Sequence, residues 1–289
     1  MKFDWNKYDE KPLSRRNTLQ IFITNACNLR CDGCFARNVM GEEGIHMSME
    51  EYKKVLSEFL EKGGEQINLI GGEPLLHPKL KEILDLNKLN NIKTTIYTNG
   101  YFLDRFSRED FEGVKIRVSL YCKSGGVKSV SKLPKFNIPI EICFMVSRGN
   151  SVDELIESAN YIEENYDCNV FFISSIRELD NDRKEFFDDT EISMNVLKYK
   201  ELVHKFLDLY NGKMEVHVSK RGVFESTKTV ADCKCRFANY FIGGKIIQCP
   251  YDVVNMKFQD GYEFGCRNCQ QNNSCLMSKI VLIRRRKNE

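Results

Sequence analysis

Cys27-Asn-Leu-Arg-Cys31-Asp-Gly-Cys34 places three thiols in one short segment with the spacing C-x3-C-x2-C. A tight loop of this kind brings three thiolates to three corners of an iron–sulfur cube. A cube held wholly by protein takes four cysteines. A compact group of three leaves one iron without a protein ligand, and an open coordination position is where a metal centre takes a substrate or cofactor. On spacing alone two other readings stand beside it: a zinc loop, for which His46 is the only nearby fourth ligand, and incidental thiols.

Two further segments carry chemistry. Gly71-Gly72-Glu73-Pro74 follows a short strand-like run. Its glycines permit close approach of the backbone to a ligand, and Glu73 can accept from a cationic amine. As an isolated tetrapeptide it also fits a plain turn. Thr98-Asn99-Gly100 ends the next strand-like run.

The elements that must hold these segments alternate. Thr18–Thr24, Gln66–Ile70, Lys93–Thr98, Lys115–Tyr121, Ile138–Val146 and Asn169–Ser175 read as strands. Ser48-Met-Glu-Glu51 and Ser151-Val-Asp-Glu154 read as capping boxes that open helices, and Pro78 as the start of another. Repeated βα units predict a parallel sheet. Six of them are fewer than the eight of a closed barrel, so the expected fold is α/β, a partial (β/α)6 TIM-like barrel. The three chemical segments then fall at C-terminal strand ends. Residues 177–192 read as a charged surface connection, and Val196–Tyr210 as an amphipathic helix. Residues 1–17 are expected to be an N-terminal extension, 18–212 the barrel with its following helix, and 213–289 a small cysteine-rich α+β domain. In that last part Tyr240–Gln248 reads as a hairpin turning on Gly243-Gly244.

Composition narrows the class. The chain has 289 residues, 42% hydrophobic and 29% charged, with a net charge of +2. Such a balance gives no global attraction to nucleic acid or membrane. The first residues are polar, with no export signal, and no apolar run approaches a bilayer span. A cytoplasmic protein is expected, and with it metal ligation rather than disulfides for the 12 cysteines. Cys122, Cys143 and Cys168 read as inert core thiols. The basic run Arg284–Lys287 reads as a solvated tail.

Over residues 18 to about 175 the sequence resembles the radical S-adenosylmethionine (SAM) superfamily, on the cysteine triplet, the Gly71–Pro74 segment and the Thr98–Gly100 strand end. The resemblance implies a [4Fe–4S] cluster on Cys27, Cys31 and Cys34 whose open iron binds SAM. It implies SAM contacts from Gly71, Gly72, Glu73, Asn99 and Ser119. Many members carry an aromatic residue just before the third cysteine; here Gly33 stands there and Phe35 follows. The C-terminal cysteines, with Gly244-x4-Cys249 and Cys266-x2-Cys269-x5-Cys275, resemble a shortened SPASM/Twitch extension, which holds auxiliary Fe–S clusters. Lys279 replaces a further family cysteine, and none follows Cys275. Six cysteines do not fill two clusters, so one auxiliary [4Fe–4S] cluster is expected, on Cys233, Cys249, Cys266 and Cys269 with Cys275 as alternate ligand. Cys235 is the candidate hydrogen-atom donor.

What the resemblance implies for function is hydrogen abstraction from a peptide during ribosomal peptide maturation, such as epimerisation or crosslinking. The alternative is a Twitch-type alcohol dehydrogenase acting on an aminoglycoside-like substrate. A strand starting near residue 18 leaves no room for an N-terminal leader-binding domain, which weighs against the peptide reading without removing it. The expected partners are a peptide substrate and a reductant such as flavodoxin or ferredoxin.

Overall fold

The computed structural model describes residues 8–11, 16–31, 33–34, 36, 44–121, 127–176, 178–180, 185–187, 191–219, 237–247, 258–262, 264 and 280–285. After a short strand β1 (Tyr8–Lys11), the strands β2 (Thr18–Thr24), β3 (Gln66–Gly71), β4 (Lys93–Thr98), β5 (Val114–Tyr121), β6 (Ile140–Val146) and β7 (Cys168–Ser175) lie side by side in chain order. Every adjacent pair from β2 to β7 is parallel. Helices α1 (Met49–Glu61), α2 (Leu80–Leu89), α3 (Val127–Val130) and α4 (Val152–Asn165) fall in the connections. The six expected strands are all present, with ends shifted by a residue or two. Pro78 does not begin α2; a 3-10 turn at Pro74–Leu76 comes first and the helix starts at Leu80.

Among the described residues beyond β7, four further strands extend this sheet and two form a sheet of their own. Residues 177–192, read as a charged surface connection, contain the antiparallel pair β8 (Glu178–Asp180) and β9 (Glu185–Phe187). After α5 (Val196–Leu209), β10 (Glu215–Ser219) adds parallel to β7. At the opposite edge β11 (Phe237–Phe241) adds parallel to β2, and β12 (Lys245–Ile247) folds back on β11. Gly243 and Gly244, both at positive φ, make the expected turn. Finally β13 (Ile280–Arg285) runs antiparallel between β10 and β1. The backbone of Arg284 and Arg285 is therefore part of a strand, where a tail was expected. The result is an eleven-stranded open sheet, and the C-terminal strands are continuous with both of its edges.

Strand alternation divides the sheet into unlike faces. Leu19, Ile21, Ile67, Leu69, Ile96, Val118, Ile142, Phe144 and Phe171 point to one side and form one core with Tyr52, Val55 and Phe59 of α1, Ile83 of α2 and Leu155 of α4. Burying such side chains contributes about 1.5–3 kcal/mol each. The opposite face carries Asn68, Thr95, Tyr97, Arg117, Ser119, Glu141, Cys143 and His217, as the register of the same strands requires.

Local chemistry sets the helix starts. Ser151 caps α4 with a complete capping box closed by Glu154. Ser48 caps α1 by accepting from the Glu51 amide at 3.1 Å. The second half of that expected box is missing, because the Glu51 carboxylate instead accepts from Tyr240 Oη at 3.2 Å and the Gly243 amide at 2.8 Å. A residue read as a local cap is thus a tie between α1 and the β11–β12 hairpin.

Candidate active site

The three-cysteine loop leaves the C-terminal end of β2. Its entry is fixed by backbone bonds: Gly72 N–H donates to Thr24 O at 2.8 Å and Glu73 N–H to Ala26 O at 2.7 Å. These contacts explain both glycines. A Cβ at Gly71, where φ is +150°, would stand 2.2 Å from Thr24 O, and one at Gly72 would stand 2.1 Å from Ala26 O. The close approach anticipated toward a ligand is first an approach of the chain to itself. It holds the segment after β3 against the start of the cysteine loop.

Cys27, Cys31 and Cys34 are all half-buried, and none is in a disulfide. The Leu29 amide donates to Cys27 Sγ at 3.4 Å. Burial pushes the Cys27 thiol up; the Leu29 amide and the Arg30 charge oppose this, while negative charge on Glu73 and Cys34 adds to it. A bound metal would stabilise the thiolate further. Beneath the loop Cys34 packs on a second apolar cluster, Phe22, Ala36, Ile70, Phe241 and Ile247. Phe22 and Phe241 stack with centroids 4.1 Å apart. This floor keeps water from one side of the loop. Among the described residues no three His, Cys, Asp or Glu side chains converge on a single metal ion. A cube, with one thiolate per iron, asks for wider spacing than zinc does. His46, the one candidate zinc partner, turns its ring edge-on to His77 at 5.4 Å.

Glu73 is 1% exposed. Its Oε1 accepts from Thr98 Oγ1 at 2.6 Å and the Leu75 amide at 3.0 Å, and its Oε2 from the Asn99 amide at 2.7 Å. A carboxylate offers about four lone-pair positions. Three are taken, and the one left, on Oε2, suits an ammonium donor. Burial pushes the Glu73 carboxyl up to about 7, against the Asn99 amide, the Thr98 hydroxyl and the Leu75 amide. An arriving cation would restore the charged form. The donor set thus fits an amino-acid ligand beside an open metal.

Asn99 directs its own side chain elsewhere. Its Oδ1 accepts from the Tyr101 amide at 3.0 Å, and its Nδ2 donates to Asn28 Oδ1 at 2.7 Å. Ser119 is half-buried on β5, paired with Cys143 of β6. The structure therefore brings Cys27, Cys34, Gly71–Glu73 and Asn99 to adjoining strand ends. Cys233, Cys235, Cys249, Cys266, Cys269 and Cys275 lie outside the described residues.

The polar face carries a group that the motifs did not reveal. Glu141, 6% exposed, accepts from Arg117 Nε and Nη2 at 3.0 and 2.6 Å, and pairs with Lys115 at 2.6 Å. Burial alone would raise its pKa, but Arg117 and Lys115 outweigh it and hold the carboxyl below the usual range. The Arg117 guanidinium lies over the Tyr97 and Phe172 rings. His217, 8% exposed on β10, meets Glu215 at 3.0 Å. Burial pushes its pKa down against that carboxylate, favouring neutral imidazole. The signal was available: VKIRVSLY and EVHVS each alternate polar and apolar residues, which marks a strand with one polar face. Cys143, on the same face, and Cys168 have their thiols pushed up to about 12 by burial, in keeping with inert protonated thiols.

Residues 21–190 match the family model described as the radical SAM superfamily. A GTP 3′,8-cyclase of Synechocystis sp. is 36% identical over 93 residues, 32% of this chain and 28% of that protein. A GTP 3′,8-cyclase of Peptoclostridium acidaminophilum is 31% identical over 150 residues, 50% of this chain and 41% of that protein. The chain thus spans less than half the length of these two relatives. Among solved structures, Streptococcus suis SuiB bound to precursor peptide SuiA superposes with a TM-score of 0.63 at 17% identity, covering 86% of this chain and 63% of that one. The protein anSMEcpe with bound AdoMet and Kp18Cys peptide gives 0.59 at 17% identity, covering 82% and 75%. The fold is the open, partial barrel seen in these proteins.

Proposed function

The chain belongs to the radical SAM superfamily, and from that premise we propose that it uses a SAM-derived 5′-deoxyadenosyl radical to take a hydrogen atom from a peptide. Membership brings a [4Fe–4S] cluster and SAM as cofactors. In this reading Cys27, Cys31 and Cys34 hold the cluster, and the Gly71–Glu73 segment with Asn99 and Ser119 frames SAM. Glu73 orients the methionine ammonium through its open lone pair. Residues 213–289 hold one auxiliary cluster, on Cys233, Cys249, Cys266 and Cys269 or Cys275. A flavodoxin- or ferredoxin-class protein delivers the electron in the cytoplasm. No helix among the described residues is long and apolar enough to cross a membrane.

One observation carries the choice of substrate class. The polar groups in the middle of the polar face hold one another: Lys115 and Arg117 both meet Glu141, and the neutral His217 meets Glu215. With His217 neutral, the formal charges of Lys115 and Arg117 are balanced by Glu141 and Glu215, so the group carries no net positive charge to meet a triphosphate. A peptide main chain, neutral and rich in hydrogen-bonding groups, suits such a surface better than GTP does. The likeness to two peptide-bound partial barrels supports the same choice. The test is anaerobically reconstituted protein offered GTP or any short peptide that a neighbouring reading frame encodes. We expect a peptide, and not GTP, to stimulate 5′-deoxyadenosine formation and to change in mass or stereochemistry. Turnover of GTP would overturn the peptide reading. Deuterium uptake from solvent at a single α-carbon would identify the reaction as epimerisation.

A pH dependence follows from Glu73. Its carboxyl, raised to about 7 by burial, is partly protonated at neutral pH. Binding an ammonium favours the charged form, so the pKa falls in the complex and SAM affinity rises with pH through about 7. An anionic cluster nearby pushes the free carboxyl the same way. Equilibrium SAM binding should plateau above about pH 8 and weaken by up to about tenfold per unit below 7. A flat profile between pH 6 and 8.5 contradicts the assignment.

A further inference from the structure

We propose that the Asn28–Asn99 carboxamide pair is a latch that positions the three-cysteine loop against the Glu73 cradle, so that one SAM molecule meets both. The inference rests on the SAM reading above and names two positioning residues for it. The backbone ties to Thr24 and Ala26 lie before Cys27. Beyond Cys27 a side-chain tie runs from Asn99 Nδ2 to Asn28 Oδ1, 2.7 Å across 71 residues of sequence. Asn28 sits between two of the cluster cysteines, and the Asn99 main-chain amide donates to Glu73 Oε2. A single residue at the end of β4 therefore grips the cysteine loop with its side chain and aims the carboxylate with its backbone.

The hydrogen-bond network fixes which way each amide faces. The Tyr101 N–H can only donate, so the atom of Asn99 that it meets at 3.0 Å is the oxygen. The Asn99 nitrogen then faces Asn28, which must offer its own oxygen. An acceptor at position 28 is the chemical requirement. Asn28→Asp keeps one, while Asn28→Ala and Asn28→Leu do not. Asn28 is exposed, so its replacement leaves no hole in the core, and its role can be separated from folding.

The experiment titrates SAM into reduced, reconstituted protein, follows the electron paramagnetic resonance change of the cluster, and measures iron per chain in parallel. We expect Asn28→Ala and Asn28→Leu to weaken SAM about threefold to tenfold, the scale of one hydrogen bond, with iron content unchanged. Asn28→Asp should stay within about twofold of wild type even though it adds negative charge beside thiolates. Asn99→Ala should lose more, because it also removes the acceptor for Tyr101. Adding Asn28→Ala to it should then cost nothing further. Wild-type affinity in Asn28→Ala would overturn the latch. So would a loss of iron in step with affinity, or an Asn28→Asp variant as weak as Asn28→Leu. A wild-type protein whose cluster does not respond to SAM would instead sink the SAM reading itself.

Discussion

Replacing any one of Cys27, Cys31 or Cys34 with Ala should lower SAM cleavage by at least about a thousandfold, since the loss removes the reactive centre and not one contact to it. The loop supplies three thiolates and no more. Two cannot hold a cube that must also keep one iron open. Among the described residues the floor beneath the loop is apolar, made of Phe22, Ile70, Phe241 and Ile247, and supplies no ligand. Iron and sulfide content should fall together with 5′-deoxyadenosine formation. Cys143→Ala and Cys168→Ala should leave iron content near wild type, since β6 and β7 are separated from β2, which leads into the loop, by β3, β4 and β5. Cleavage that survives in a Cys31→Ala variant would count decisively against the cluster assignment.

Glu73→Gln should weaken SAM binding about tenfold to a hundredfold, the scale of losing a charge-assisted hydrogen bond. The substitution keeps volume and shape but exchanges one acceptor for a donor. Leu75 and Asn99 present backbone N–H groups to different oxygens of the carboxylate. Backbone donors cannot reverse, so one of them must face the new NH2 group. The Thr98 hydroxyl can turn to accept from it, but neither amide can. One buried amide left unpaired costs about 1–3 kcal/mol, to be read as a lowered melting temperature. SAM titration and thermal unfolding check the two effects separately, and the pH dependence of affinity should vanish with the carboxylate. A Glu73→Gln protein that binds SAM as wild type does would show that the cradle lies elsewhere.

The division between what was legible early and what was not follows the range of the interactions. The cysteine spacing, the Gly71–Pro74 segment and the six alternating strands are local patterns, set by loop geometry and side-chain period, and each stands where it was expected. Glu51 shows the limit. The Ser48–Glu51 pattern reads as a closed capping box, yet Tyr240 and Gly243 compete for the same carboxylate from far along the chain. The glycines show it too: their types announce a close approach, but only the fold names Thr24 and Ala26 as what approaches.

The sequence by itself determined a three-thiolate loop, its carboxylate neighbour and a parallel sheet to set them at strand ends, because each is written in residues close together. Only the tertiary structure decided that Lys115 and Arg117 both meet Glu141, that Asn28 meets Asn99, and that the last strands add to both edges of the first sheet. Those facts depend on which strands become neighbours, a choice made by burying one apolar face against helices, and no short stretch of sequence contains it.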